Sequence, residues 1–211
     1  TANPHPSAYK LANEAFSTLR IPIYYVRGNH DAAADIKRWM GMGPVQELST
    51  ADDQLIYSFE LKGYRFLVLD SCGQPDEDPR GFLSAGQIDL LCEEAAVGGP
   101  PLVVFIHHPL LPMDSPWMDA NMLIMNGETV HRSLLAIGDR LLGVFLGHIH
   151  QSTQTLRDGI LYTAGPSTFT QFSSFPCDEM VGHVQDEQPG FNFVRLMPGQ
   201  IMVRQHRFPQ P

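Results

Sequence analysis

Three apolar runs in this chain stop abruptly at polar, metal-competent clusters, and no other feature constrains its folding as strongly. Ile21-Pro22-Ile23-Tyr24-Tyr25-Val26 ends in Arg27-Gly28-Asn29-His30-Asp31. Leu102-Val103-Val104-Phe105-Ile106 ends in His107-His108-Pro109. Leu141-Leu142-Gly143-Val144-Phe145-Leu146 ends in Gly147-His148-Ile149-His150. Each run is short and rich in branched or aromatic residues, which predicts a buried strand. Between them the spacing predicts helices over 33–40, 84–96 and 128–137. Strands separated by helices are expected to be parallel members of one sheet, giving an α/β fold. Ligands gather beyond the carboxyl ends of such strands, so all three clusters are expected along one sheet edge.

The remaining chain fits one domain over 1–211, with no internal repeat or low-complexity linker. Helical spacing over 7–19 puts Tyr9, Ala12, Phe16 and Leu19 on one face. Residues 57–61 and 64–69 flank Lys62-Gly63 and predict a hairpin. Ser84 and Gln87 form a capping-box pattern, and Gly98-Gly99-Pro100-Pro101 ends that helix. A loop is expected over 110–127. Its Met113, Met118, Met122 and Met125 either line an adaptable apolar wall or fill core. Strands are expected at 160–163 and within 191–205, with a turn at Pro198-Gly199.

The donor atoms at the three clusters are imidazole nitrogens and amide or carboxylate oxygens, a set suited to zinc, manganese, iron or cobalt. Gly28 and Gly147 are expected to let the backbone turn where a Cβ would obstruct. In extended backbone His148 and His150 would point the same way, either to two neighbouring cations or to one. Each cluster alone has a plain structural explanation. A lone histidine is usually a hydrogen-bonded structural residue, the expectation for His5, His131, His183 and His206. Asn29-His30-Asp31 alone could be an Asx-type turn. The succession of all three clusters carries the functional reading.

Composition narrows the partners. The net charge of −9 argues against nucleic-acid backbones, which demand a basic surface. A phosphate-bearing substrate here needs bound cations to neutralise it. Cys72, Cys92 and Cys177 match neither a disulfide framework nor a zinc motif, which predicts a reducing, cytoplasmic setting. No apolar run approaches the roughly 20 residues that span a bilayer, and the stretch 1–10 lacks leader character, so no membrane association is expected.

The order Gly28-Asn29-His30-Asp31, His107-His108-Pro109, Gly147-His148-Ile149-His150 resembles the calcineurin-like metallophosphoesterases. Within them it looks most like class III cyclic nucleotide phosphodiesterases and their glycerophosphodiesterase relatives. The resemblance extends over most of the chain, including Trp117-Met118-Asp119. It implies a four-layer α/β/β/α sandwich and two divalent metal ions (manganese, iron, zinc or cobalt). It implies hydrolysis of a small phosphate ester, foremost a 3′,5′-cyclic nucleotide, by a metal-bridging hydroxide. A phosphomonoester, glycerophosphodiester or nucleotide pyrophosphate is the alternative substrate. Carried over, Asn29, His107 and His148 bind one metal and His150 binds the other. His30 contacts the phosphate and protonates the leaving oxygen, and Asp31 holds His30. Of the adjacent pair, His107 is favoured as ligand and His108 is assigned to the substrate side.

The family's Asp-x-His and Gly-Asp-x-x-[Asp/Asn] motifs do not occur in these residues. The resemblance therefore implies a domain lacking its first βα units, with one metal or none held by these residues alone. A sheet without those strands exposes an edge, so homo-oligomerisation is expected. A non-catalytic binding or assembly module is the alternative function.

Overall fold

The computed structural model of the chain describes residues 5–49, 51, 53–73, 79–176, 178–184 and 188–208. Cys177 and residues 1–4 lie outside the described residues. Helix α1 (Pro6–Phe16) starts on His5, whose ring accepts from the Ser7 N–H. It buries Tyr9, whereas Phe16 and Leu19 stay exposed, so the expected apolar face packs only at its first turns. Next come α2 (Ala33–Trp39), β1 (Gln46–Glu47), β2 (Tyr57–Leu61) and β3 (Tyr64–Val68). The β2–β3 turn has Lys62 at φ +52° and Gly63 at +81°, the paired positive values of a primed hairpin turn. Helix α3 (Ala85–Val97) leads into β4 (Leu102–Phe105). The loop expected at 110–127 contains a short helix, α4 (Pro116–Asn121), with proline at its first turn. Then follow α5 (Gly127–Leu135), β5 (Leu141–Leu146), β6 (Thr153–Arg157) and β7 (Ile160–Ala164). Three-residue strands β8 (Gln171–Ser173) and β9 (Gly182–Val184) pair, as do β10 (Gly190–Met197) and β11 (Gln200–Arg207).

Seven strands form one mixed sheet in the order β1-β2-β3-β4-β5-β7-β6. Strands β3, β4, β5 and β7 are parallel, and the outer strands are antiparallel. One face packs Leu67, Leu102, Val104 and Val144 against Leu91 of α3 and Val130 and Leu134 of α5. Each such fully buried side chain stabilises the fold by roughly 1.5–3 kcal/mol. The other face packs Tyr57, Phe59 and Val68 against Tyr9 of α1 and Ile36 of α2. Asn192 of β10 donates to the Ala164 C=O at 3.4 Å, placing the β10–β11 ribbon against β7.

Two expectations fail for identifiable reasons. Residues 22–28 form neither helix nor strand and join no ladder among the described residues. The Tyr57 hydroxyl occupies the Tyr25 peptide instead, donating to its C=O at 2.8 Å and accepting from its N–H at 2.9 Å. Tyr24 stacks on Phe59 with ring centroids 3.6 Å apart, so the segment lies across the face of β2 rather than beside it. Ile21 is 66% exposed and residues 23–26 are only half-buried, so the expected burial fails too; strand-like composition reports stiffness, not the presence of a neighbour. The Ser84–Gln87 capping box also does not form, since Ser84 makes no side-chain cap bond. Gln87 is buried and reaches the Asp70 peptide, accepting from its N–H at 2.9 Å and donating to its C=O at 2.8 Å. Satisfying a buried peptide beyond the end of β3 outweighs satisfying a solvated helix end.

Candidate metal centre

The ends of β4 and β5 adjoin at one edge of the sheet, as the strand order requires, and Asn29 brings the loop 27–31 to the same edge. His107 stands between two glycines. A Cβ on Gly28 would lie 3.1 Å from His107 Cε1, and one on Gly147 would lie 3.2 Å from His107 Nδ1. Neither glycine has positive φ. They are there for close approach to a ring, not for the sharp turn expected of them. The unusual conformations fall on the histidines instead, with φ +69° at His148 and +49° at His150. The segment is therefore coiled, which corrects the extended backbone expected to align both rings. Histidine tolerates this region better than most residues, yet each instance costs on the order of 1–3 kcal/mol. Ile149 between them holds the coil: it is fully buried against Met118, Met122 and Ala164, and its N–H donates to the Gly147 C=O at 2.8 Å. Met118 and Met122 are thus core beneath the histidines.

His107 Nε2 lies 3.3 Å from Asn29 Oδ1 and 3.1 Å from His148 Nδ1. Asn29 Oδ1, His107 Nε2 and His148 Nδ1 therefore lie together at one point of the edge. Ligand atoms of His107, His108 and His148 all lie within 4.8 Å of one another. His108 is fully buried, with Nδ1 2.8 Å from Ser71 Oγ. Its Nε2, and Nδ1 of His150, are buried with no partner at good hydrogen-bond geometry, although the Pro79 and Thr170 backbones lie close enough to their rings to favour protonation. This places His108 under the cluster rather than on an open wall. Burial, reinforced by the neighbouring His108 and His148 rings, holds His107 well below the usual histidine range. Burial and the His148 ring pull His108 down to about 3. Burial also lowers His150, aided by the nearby His183 and His30 rings. Neutral imidazoles whose nitrogens lie this close together are what a divalent cation requires.

Several supporting residues carried no motif signal. Arg27 ties the loop to the end of β3, with Nη1 3.3 Å from the buried Asp70 Oδ2 and Nε donating to the Asp31 C=O at 3.0 Å. Asp31 accepts from the Tyr9 hydroxyl at 3.1 Å and the Gly28 N–H at 3.2 Å, which anchors the loop that exposes His30. A Cβ on Gly81 would press within 2.6 Å of the His108 ring. Asp70-Ser71 was the findable signal, because it is a further polar pair at the end of a parallel strand. His5, His131 and His206 stand apart: His5 caps α1, His131 bonds Tyr162 and Asp158, and His206 stacks on Phe191. Cys72 and Cys92 are free thiols. No helix among the described residues is long and apolar enough to cross a membrane.

The family model described as calcineurin-like phosphoesterase matches residues 3–152. A 3′,5′-cyclic-nucleotide phosphodiesterase of Nostoc sp. is 30% identical over 195 residues, covering 90% of this chain and 66% of that protein. A 3′,5′-cyclic adenosine monophosphate phosphodiesterase of Pseudomonas aeruginosa is 31% identical, with 90% and 64% covered. A glycerophosphodiester phosphodiesterase of Enterobacter lignolyticus is 30% identical, with 71% and 52% covered. The chain thus spans about half to two thirds of the length of these curated relatives. Among solved structures, a dimetal phosphatase from Danio rerio shares the fold, with TM-score 0.56 at 15% identity over 87% of this chain and 74% of that one.

Proposed function

This chain belongs to the calcineurin-like phosphoesterase family, and from that premise we propose a metal-dependent hydrolase of phosphate diesters, with 3′,5′-cyclic nucleotides as the leading substrate class. The observation that carries it is the convergence of Asn29 Oδ1, His107 Nε2 and His148 Nδ1 beside the bare nitrogens of His108 and His150. Asn29, His107 and His148 would hold one cation and His150 a neighbouring one. Bound divalent cations supply charge neutralisation and an activated water.

The chain's own residues do the remaining work. His30, exposed at the loop tip, binds a phosphate oxygen and passes a proton to the departing ester oxygen. Asp31, through Tyr9 and the Gly28 N–H, fixes the loop from which His30 projects. Ser71 orients His108 beneath the cluster. The four-layer α/β/β/α arrangement and a single domain over 1–211 belong to the same proposal, with the β10–β11 ribbon as the second sheet's first pair. The relatives named as cyclic nucleotide phosphodiesterases favour that substrate, and the glycerophosphodiesterase keeps a second diester in view.

The test is hydrolysis by the full-length protein loaded with manganese, cobalt, zinc or iron. Cyclic AMP, glycerophosphodiesters and a chromogenic bis-ester are the substrates. Turnover of cyclic AMP supports the proposal, and turnover of glycerophosphodiesters alone moves the substrate. Inactivity with all four metals overturns the enzymatic reading in favour of a binding module.

A further inference from the structure

The β8–β9 hairpin brings one more histidine toward the site. His183 lies directly opposite Phe172 in the ladder, so both side chains share a face of the hairpin. Phe172 stacks on His150, with centroids 4.6 Å apart and 14° between planes. The same ring meets His183 edge-on, at 5.0 Å and 72°. The hairpin is fastened to the histidine coil. The Phe172 N–H donates to the His150 C=O at 3.2 Å, and Gln151 Nε2 donates to the Phe172 C=O at 3.0 Å. Buried Gln171 braces its start, with its amide bonded to both the N–H and C=O of Ser167. His183 is thereby held one aromatic ring away from His150. His183 is exposed there, whereas His131, a structural histidine, has both ring nitrogens bonded.

Position decides what His183 can touch. The Phe172 ring separates it from His150, so it stands one aromatic ring beyond the atom assigned to a cation. A group at that distance meets the part of a substrate beyond phosphorus. An imidazole hydrogen-bonds sugar hydroxyls and base edges better than alkyl or nitrophenyl groups. The β8–β9 connection also exposes Phe175 and Met180, apolar surface of the kind on which a base stacks.

We infer that His183, backed by Phe172, is a specificity-determining contact for the nucleoside portion of the substrate, and that the β8–β9 hairpin is the outer wall of the site. This rests on the phosphoesterase proposal above. The test compares wild type with His183→Ala and His183→Gln in manganese-loaded full-length protein. Readouts are bound manganese, kcat/KM on cyclic AMP and on bis(4-nitrophenyl) phosphate, and calorimetric affinity for AMP and for inorganic phosphate. His183→Ala is expected to lower kcat/KM on cyclic AMP by about 5–10-fold, the scale of one hydrogen bond, chiefly through KM. AMP binding should weaken similarly, while phosphate binding, bis-ester turnover and manganese content hold. Gln should recover part of the loss. Unchanged AMP affinity, or equal losses on both esters with loss of manganese, overturns the inference while leaving the phosphoesterase proposal standing. A wild type that hydrolyses neither ester overturns both.

Discussion

Two buried histidine networks sit at opposite ends of the same parallel strands, and they differ in saturation. At one end His131 of α5 bonds the Tyr162 hydroxyl through Nδ1 at 2.7 Å and Asp158 Oδ2 through Nε2 at 2.9 Å. At the other, His107 Nε2 faces two acceptor-capable atoms, and His108 Nε2 and His150 Nδ1 have no partner at good hydrogen-bond geometry. Burial alone does not separate the two ends, since His131 and His108 are 1% and 0% exposed, while His107 and His150 are half-buried. A saturated network stabilises the fold without further chemistry. An unsaturated one costs about 1–3 kcal/mol per bare buried group unless a ligand arrives. The contrast separates structural histidines from candidate ligands more sharply than burial or motif does.

The largest effect that tests the contrast is on metal affinity. His107→Ala and His148→Ala should each weaken manganese binding by calorimetry at least about 100-fold, the upper range reached by outer-sphere partners alone. Unchanged affinity in both would erase the distinction. Next is acid sensitivity. His108 is held at about 3 in the folded chain, whereas an unfolded histidine titrates near 6.5. Between those values the unfolded state binds more protons. Metal-free protein should therefore keep full stability above pH ~6.5 and lose it progressively as pH falls toward 3. Chemical denaturation across that range checks the sign. A pH-independent midpoint would mean the cluster is more open to water than its burial indicates.

Third, His131→Phe should cost about 1–3 kcal/mol of stability, by stranding the Tyr162 hydroxyl, with manganese affinity intact. Loss of metal with it would couple the two ends. The smallest effect belongs to Gly28→Ala. Its Cβ would sit 3.1 Å from His107 Cε1, so the ring must yield by a few tenths of an ångström. Manganese affinity should fall by about 2–10-fold with little change in thermal midpoint, well short of losing the ring itself. An unchanged affinity would show the slot to be loose.

The contrast also marks how far the sequence was legible. The strands at 102–105 and 141–146, the helices between them and the edge where the clusters meet followed from apolar runs and their polar ends. The same runs misassigned 21–26, because composition cannot report that a tyrosine hydroxyl will take the place of a neighbouring strand. Strand β6 was findable from Asp158-Gly159, whose φ values of +50° and +83° make the turn that pair favours. His183 could not be read as a site residue. Its place depends on its register with Phe172, more than twenty residues beyond His150 in the chain.

By itself the sequence determined the donor chemistry and the edge at which the donors gather, because strand order and side-chain type are local properties. Only the tertiary structure decided which histidines saturate one another and which keep bare lone pairs. It put the positive φ on His148 and His150 rather than on the glycines, and it gave Gly28 and Gly147 the work of admitting the His107 ring. The physical reason is that saturation and close approach are relations between segments far apart in sequence. Such relations exist only once packing has fixed the distances.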